Sequence, residues 1–244
     1  MIRFITCILF IVVFLIWSIP MFLVELIIGL FSRKARDYSS LRIVQWGFKV
    51  VRFIGGIKTT VIGYDKIPKN EPVLFVGNHR SIFDVVIAYS MMPNLTGFVS
   101  KKEMEKVPLL SIWMRFIYCL FLDRKDIKKG MKTVLVGIDY IKSGVSIVVF
   151  PEGTRNTQDS GLLPFKAGSL KFAEKTGCKI VPMVQNNTEM CFENQFPRVR
   201  KTHTVLEFCD PIDLDTLSKE DKKFLSVYVQ KIIEEKYEEN KKLV

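Results

Sequence analysis

His79 and Asp84, five positions apart in the run Asn78-His79-Arg80-Ser81-Ile82-Phe83-Asp84, are the residues in this sequence best suited to moving a proton. An imidazole can accept a proton near neutral pH, and a carboxylate on its other ring nitrogen holds the required tautomer. On one straight helix, positions five apart point about 140° from each other. The pair can therefore meet only if His79 lies in a loop and Asp84 in the first helical turn. The same residues admit a purely structural use, with Ser81 as helix N-cap and Asp84 as its capping-box partner. Spacing alone leaves both uses open. Three further clusters suit anions: Phe150-Pro151-Glu152-Gly153-Thr154-Arg155, Phe121-Leu122-Asp123-Arg124, and Lys101-Lys102-Glu103-Met104. Gly153 permits an unusual turn, and Arg155 offers a planar fork that matches phosphate oxygens. Each cluster follows a strand-like run, so together they read as one anion-binding rim.

Those clusters need a scaffold that brings strand ends to one edge. After Gly55-Gly56 the pattern alternates short β-rich runs with helical ones. Strands are expected at 58–62, 73–76, 97–100, 121–122, 145–150, 179–185 and 204–208. Helices are expected at 81–91, 109–118, 127–143, 168–175 and 218–237, with Asp126 capping the third and Gly144 ending it at the C′ position. The runs 73–76, 145–150 and 180–184 are apolar without alternation, as in strands covered on both faces. The expected fold is α/β: a mixed, largely parallel central sheet of about seven strands flanked by helices, preceded by N-terminal membrane-associated helices.

The membrane expectation comes from residues 4–31, which are apolar apart from Thr6, Ser18, Pro20 and Glu25. As one helix they would extend roughly 42 Å, against a hydrocarbon core of about 30 Å. Pro20 removes a backbone donor, so the segment should kink or break in two, giving a bent span or a shallow re-entrant pair. No small-residue cleavage site follows, which disfavours a removed signal peptide. Eight Lys/Arg against Glu25 and Asp37 give residues 1–58 a charge of +6, more than half of the +11 carried by all 244 residues. Charge concentrated beside an apolar run favours an anionic membrane surface over nucleic acid. The stretch 39–54 reads as a basic amphipathic helix, lying on lipid or packed on the core with a solvated basic face. If the first segment spans, the cations after it hold the remainder on the cytoplasmic side of the cell membrane. The five scattered cysteines form neither a disulfide framework nor a zinc ribbon and fit a reducing compartment.

The order of the clusters resembles the glycerophospholipid acyltransferase family, in particular its bacterial members that acylate 1-acyl-sn-glycerol 3-phosphate. The matching residues are His79-x4-Asp84, Lys101-x-Glu103 with Val107-Pro108, Phe121 to Arg124, Phe150 to Arg155, Phe165-Lys166-x-Gly168 and Val181-Pro182. They span roughly residues 60–212, and their order is far more specific than His-x4-Asp alone. The resemblance implies an anchoring segment at 1–57 and an acyltransferase domain at 58–244. It implies a membrane-bound transfer of a fatty acyl group from an acyl thioester to the sn-2 hydroxyl, giving phosphatidic acid. His79 would be general base and Asp84 its orienting partner. Lys101, Arg124, Glu152, Gly153, Thr154 and Arg155 would hold or shape the site for the phosphorylated acceptor. No metal and no cofactor are implied; coenzyme A or acyl carrier protein would bear the acyl group, the carrier protein then being a partner.

Other chemistries fit less well. No G-x-S-x-G elbow occurs, since Ala167-Gly168-Ser169 supplies only part of one. His203 with Cys209 lacks the further ligands a metal site needs, and no cysteine neighbours His79. Glycerol 3-phosphate or another lysophospholipid as acceptor, and a non-catalytic lipid-binding scaffold, are the alternatives to the lysophosphatidate reading.

Overall fold

The computed structural model describes residues 1–158 and 161–244. Two long helices open the chain, α1 (Ile2–Phe31) and α2 (Arg33–Gly55). There follow β1 (Ile57–Ile62), β2 (Leu74–Gly77), α3 (Ile82–Tyr89), β3 (Thr96–Lys101), α4 (Leu110–Phe116) and β4 (Leu120–Leu122). The second half contains α5 (Ile127–Lys142), β5 (Ser146–Val149), α6 (Lys171–Thr176), β6 (Ile180–Asn186), β7 (Thr202–Phe208), α7 (Lys219–Lys223) and α8 (Leu225–Asn240). All seven expected strands form, each within two residues of the expected bounds. Asp126 caps α5 by accepting from the Lys129 N–H at 3.0 Å, and Gly144 follows its end at φ +93°.

The sheet order is β1-β7-β6-β2-β5-β3-β4, with every neighbouring pair parallel except β6 and β7. Every residue of β2, β5 and β6 is buried, which accounts for their unbroken apolar runs. Alternate side chains feed two cores. Phe75, Val148, Val181 and Met183 face a cluster completed by α1 to α4. Leu74, Val76, Ile147, Val149, Ile180 and Val184 face one completed by α5, α6 and α8. The C-terminal ends of β2, β5, β3 and β4 thus lie side by side on one edge.

Two helical expectations change. The run 218–237 is two helices, because Phe224 takes a non-helical conformation (φ −112°, ψ 36°) between α7 and α8. The run 168–175 begins as a 3-10 turn over Ala167–Leu170 and becomes α-helical at Lys171.

The N-terminal helices share the first core with the sheet. α1 runs through Pro20 without a break and ends at Ser32, which also caps α2 by accepting from the Ala35 N–H at 3.2 Å. One face of α1 meets the rest of the protein along its length. Phe4 stacks on Phe192 with centroids 5.6 Å apart. Ser18 accepts from Trp113 Nε1 at 2.7 Å, and Phe22 packs on the same indole. Buried Glu25 accepts from the Ser39 and Ser40 hydroxyls of α2. The opposite face, including Ile5, Leu9, Val12, Ile16 and Leu23, is exposed. The start of α1 and its middle thus contact the domain, while its last residues, Leu30 and Phe31, are exposed. In α2, Leu41, Val44, Gln45 and Val51 are buried, and Gln45 donates to the Met92 carbonyl at 2.7 Å, while Trp46 and Phe53 project outward. The helix therefore packs on the core and keeps an exposed aromatic side as well.

Candidate active site

β2 ends at Gly77, and the chain turns through Asn78, His79 and Arg80 into α3. Asn78 locks this corner to β6, donating to the Gln185 carbonyl at 2.8 Å and accepting the Gln185 N–H at 2.9 Å. Ser81 caps α3, accepting from the Phe83 N–H at 3.0 Å, and Asp84 completes the capping box by accepting the Ser81 N–H at 2.8 Å. The same Asp84 oxygen, Oδ2, lies 2.8 Å from His79 Nδ1 and accepts the Arg80 N–H at 2.7 Å. Its other oxygen accepts from the Thr188 hydroxyl. The structural use and the imidazole-orienting use thus coexist in one carboxylate.

This geometry sets the tautomer. A buried carboxylate oxygen already receiving two backbone N–H groups accepts rather than donates, so His79 Nδ1 carries the hydrogen. Nε2 is then the basic nitrogen. The imidazole stacks on Phe150 with centroids 4.4 Å apart and planes 16° apart, which fixes its plane, and it remains partly accessible.

Glu152 is buried and stitches the loop after β5 to this corner. Its carboxylate accepts the His79 N–H at 2.7 Å and the Leu163 N–H at 3.0 Å, while the His79 carbonyl accepts the Asn156 N–H at 2.7 Å. Burial pushes the Glu152 pKa up, and the two N–H donors oppose that shift. Its contacts make it a positioning residue for His79. Gly153 adopts φ +74°, a left-handed conformation that favours glycine, with the flexible end of Lys166 close by.

Thr154 and Arg155 are exposed. Arg155 is 2.9 Å from Glu193, whose carboxylate also accepts from the Ser81 hydroxyl and from the Ile82 N–H at 2.8 Å. Arg155 is thereby held over the start of α3. Lys101 ends β3 with its side chain exposed, and Arg124 lies two residues beyond β4. At a strand spacing of about 4.8 Å, these put cations roughly two and three strands along the edge from β2. The rim is therefore a row with the imidazole at one end. His203 lies elsewhere, on β7 beside β1, with Nε2 2.8 Å from the Thr60 hydroxyl. No group of three potential metal ligands occurs among the described residues.

Thr188 and Glu193 had no signal in the sequence, because they arrive from beyond β6, more than a hundred residues after Asp84 and Ser81. The Phe150 ring is within a recognised cluster, yet its contact with His79 depends on β5 lying beside β2.

A histidine oriented by a buried carboxylate at the carboxyl edge of an α/β sheet, next to a row of cations, is an arrangement suited to acid–base chemistry on anionic substrates. Comparison with known proteins agrees: the model of the Acyltransferase family matches residues 58–186, and the chain belongs to that family. A 1-acyl-sn-glycerol-3-phosphate acyltransferase of Haemophilus influenzae is 31% identical over 71% of this chain and 73% of its own. One of Borreliella burgdorferi is 32% identical over 59% of this chain, and the match spans 57% of that relative's length. The crystal structure of the 1-acyl-sn-glycerophosphate acyltransferase PlsC of Thermotoga maritima shares the fold, with a TM-score of 0.77 and 24% identity over 98% of both chains.

Proposed function

We propose that this protein acylates the sn-2 hydroxyl of 1-acyl-sn-glycerol 3-phosphate, using a fatty acyl thioester and releasing phosphatidic acid and a thiol. The observation that carries the reading is the 2.8 Å contact between Asp84 Oδ2 and His79 Nδ1, which leaves Nε2 as the base. An alcohol attacks a thioester poorly until its proton is removed as the bond forms. His79 Nε2 takes that proton while the acceptor oxygen bonds to the thioester carbonyl carbon. Asp84 stabilises the imidazolium, and collapse of the tetrahedral intermediate breaks the C–S bond. The imidazolium returns its proton to the departing sulfur, so no acyl-enzyme and no cofactor enter. Lys101 and Arg155 recognise the acceptor phosphate, with Arg124 helping and Glu152, Gly153 and Thr154 shaping the loop.

The amphipathic substrates account for the N-terminal helices. α1 presents an unbroken exposed apolar face while its other face stays on the domain, so it lies in one leaflet of an anionic membrane and does not cross it. Lysophosphatidate then reaches the rim laterally. An acceptor comparison tests the substrate assignment. Reconstituted protein should acylate lysophosphatidate far faster than glycerol 3-phosphate or lysophosphatidylcholine. Preference for either of the others overturns the assignment, and a folded protein inactive on all of them returns the scaffold alternative.

A further inference from the structure

We propose that the outer face of α5 docks a small acidic protein that carries the acyl thioester. This deepens the acyl-transfer reading and rests on it. Ile127, Met131 and Leu135 recur at i, i+4 and i+8 and are 81%, 63% and 59% exposed, a continuous apolar row on the surface. Lys128 and Lys132 form the next row round the helix, and Arg124 and Lys125 extend the charge from its start. The acids nearby do not cancel this. Asp126 caps the helix and pairs with Lys129 at 3.1 Å, Asp123 is held by Lys102 at 2.9 Å, and Asp139 lies at the far end. Five cations against one carboxylate therefore occupy residues 124–132.

Lys128 in the first turn opposes the helix dipole, and neither it nor Lys132 pairs with a carboxylate among the described residues, which leaves both charges open to a partner. An acidic helix with a few apolar side chains complements an apolar row fringed by lysines, and the charge steers its approach. A bilayer does not fit. α5 packs on the sheet face that Ile147 and Val149 serve, whereas α1 and α2 pack on the face that Val148 serves. A flat membrane taking the apolar face of α1 lies on the opposite side from α5. Position also agrees: α5 begins five residues after β4, at the edge where His79 stands, three strands or roughly 14 Å away. A carrier seated on the N-terminal half of α5 can pass its thioester along the rim.

The test uses the full chain with two palmitoyl donors, acyl carrier protein and coenzyme A, at saturating lysophosphatidate. Lys128→Glu with Lys132→Glu, and separately Met131→Ser, alter exposed side chains and should leave the melting temperature unchanged. The KM for the carrier-protein donor should rise about tenfold or more, with that for the coenzyme A donor unchanged. An unchanged carrier KM, an equal rise for both donors, or a wild-type protein that accepts only coenzyme A overturns the docking surface while leaving acyl transfer intact. Loss of binding to phosphatidylglycerol vesicles in the charge-reversed protein overturns it in favour of a lipid contact. No product from either donor overturns both readings.

Discussion

Asp84 Oδ2 receives the His79 Nδ1 hydrogen and two backbone N–H groups at once, so its role at the active-site corner is electrostatic and conformational together. Asp84→Asn keeps the shape but cannot serve three donors, because its amide presents N–H groups where acceptors are needed. Turnover should fall about 10²–10⁴-fold through loss of the tautomer. Stability should fall by about 0.5–2 kcal/mol through loss of the cap, read as kcat and melting temperature on the same preparation. Arg155 makes a contrasting case. Its pair with Glu193 is half-exposed on the arginine side, and such surface pairs contribute about 0–1 kcal/mol. Arg155→Ala should therefore leave melting nearly unchanged and raise the KM for lysophosphatidate by about tenfold. A drop in melting temperature with KM untouched would make the arginine structural.

At the scale of elements, α2 and the turn after α4 are tied by a polar contact. The Tyr118 hydroxyl donates to Asp37, which Arg36 grips at 2.6 Å through its other oxygen. Tyr118→Phe should cost about 1.5–3 kcal/mol, as for a hydrogen bond to a charged group. Burial and then the Asp37 contact push the Tyr118 pKa up to about 12. Because the folded value is raised, this stabilisation is complete below the ordinary phenol value near 10. It is lost as pH climbs from there toward about 12, and the melting difference between wild type and Tyr118→Phe should shrink over that range. Strand existence was legible in the sequence because buried parallel strands are uninterrupted apolar runs, and α5 because both its ends are marked by Asp126 and Gly144. The break at Phe224 was not, since both flanks follow a helical pattern and no Gly or Pro marks the position. The same division holds in the site. His79 and Asp84 are local and visible in the spacing, and the clusters at Phe150 to Arg155 are visible as strand ends. Thr188 and Glu193 reach the site only through the β6–β2 pairing, and their role follows from topology.

For the whole molecule, the two cores place the two proposed contacts, with a membrane and with a soluble donor, on opposite faces of the sheet. α1 and α2 close one face of the sheet and offer apolar side chains outward, and α5 closes the other. Leu9→Asp with Ile16→Asp alters only exposed positions of α1, so the fold should persist. A charge in the hydrocarbon costs about 2.5–3.5 kcal/mol at a bilayer centre and less near the interface. The vesicle-bound fraction in a flotation assay should accordingly drop about tenfold or more. Unchanged flotation would place the membrane contact elsewhere on the protein.

The most direct test compares wild type with His79→Ala in phosphatidate formation from labelled oleoyl-coenzyme A or oleoyl-carrier protein and lysophosphatidate. With both proteins folded, the account predicts product from wild type and a loss of about 10²–10⁴-fold or more in the variant, the range expected for removing a general base. Turnover of the variant near the wild-type rate would contradict the assignment of His79 as the base and, with it, the mechanism built on the Asp84 contact.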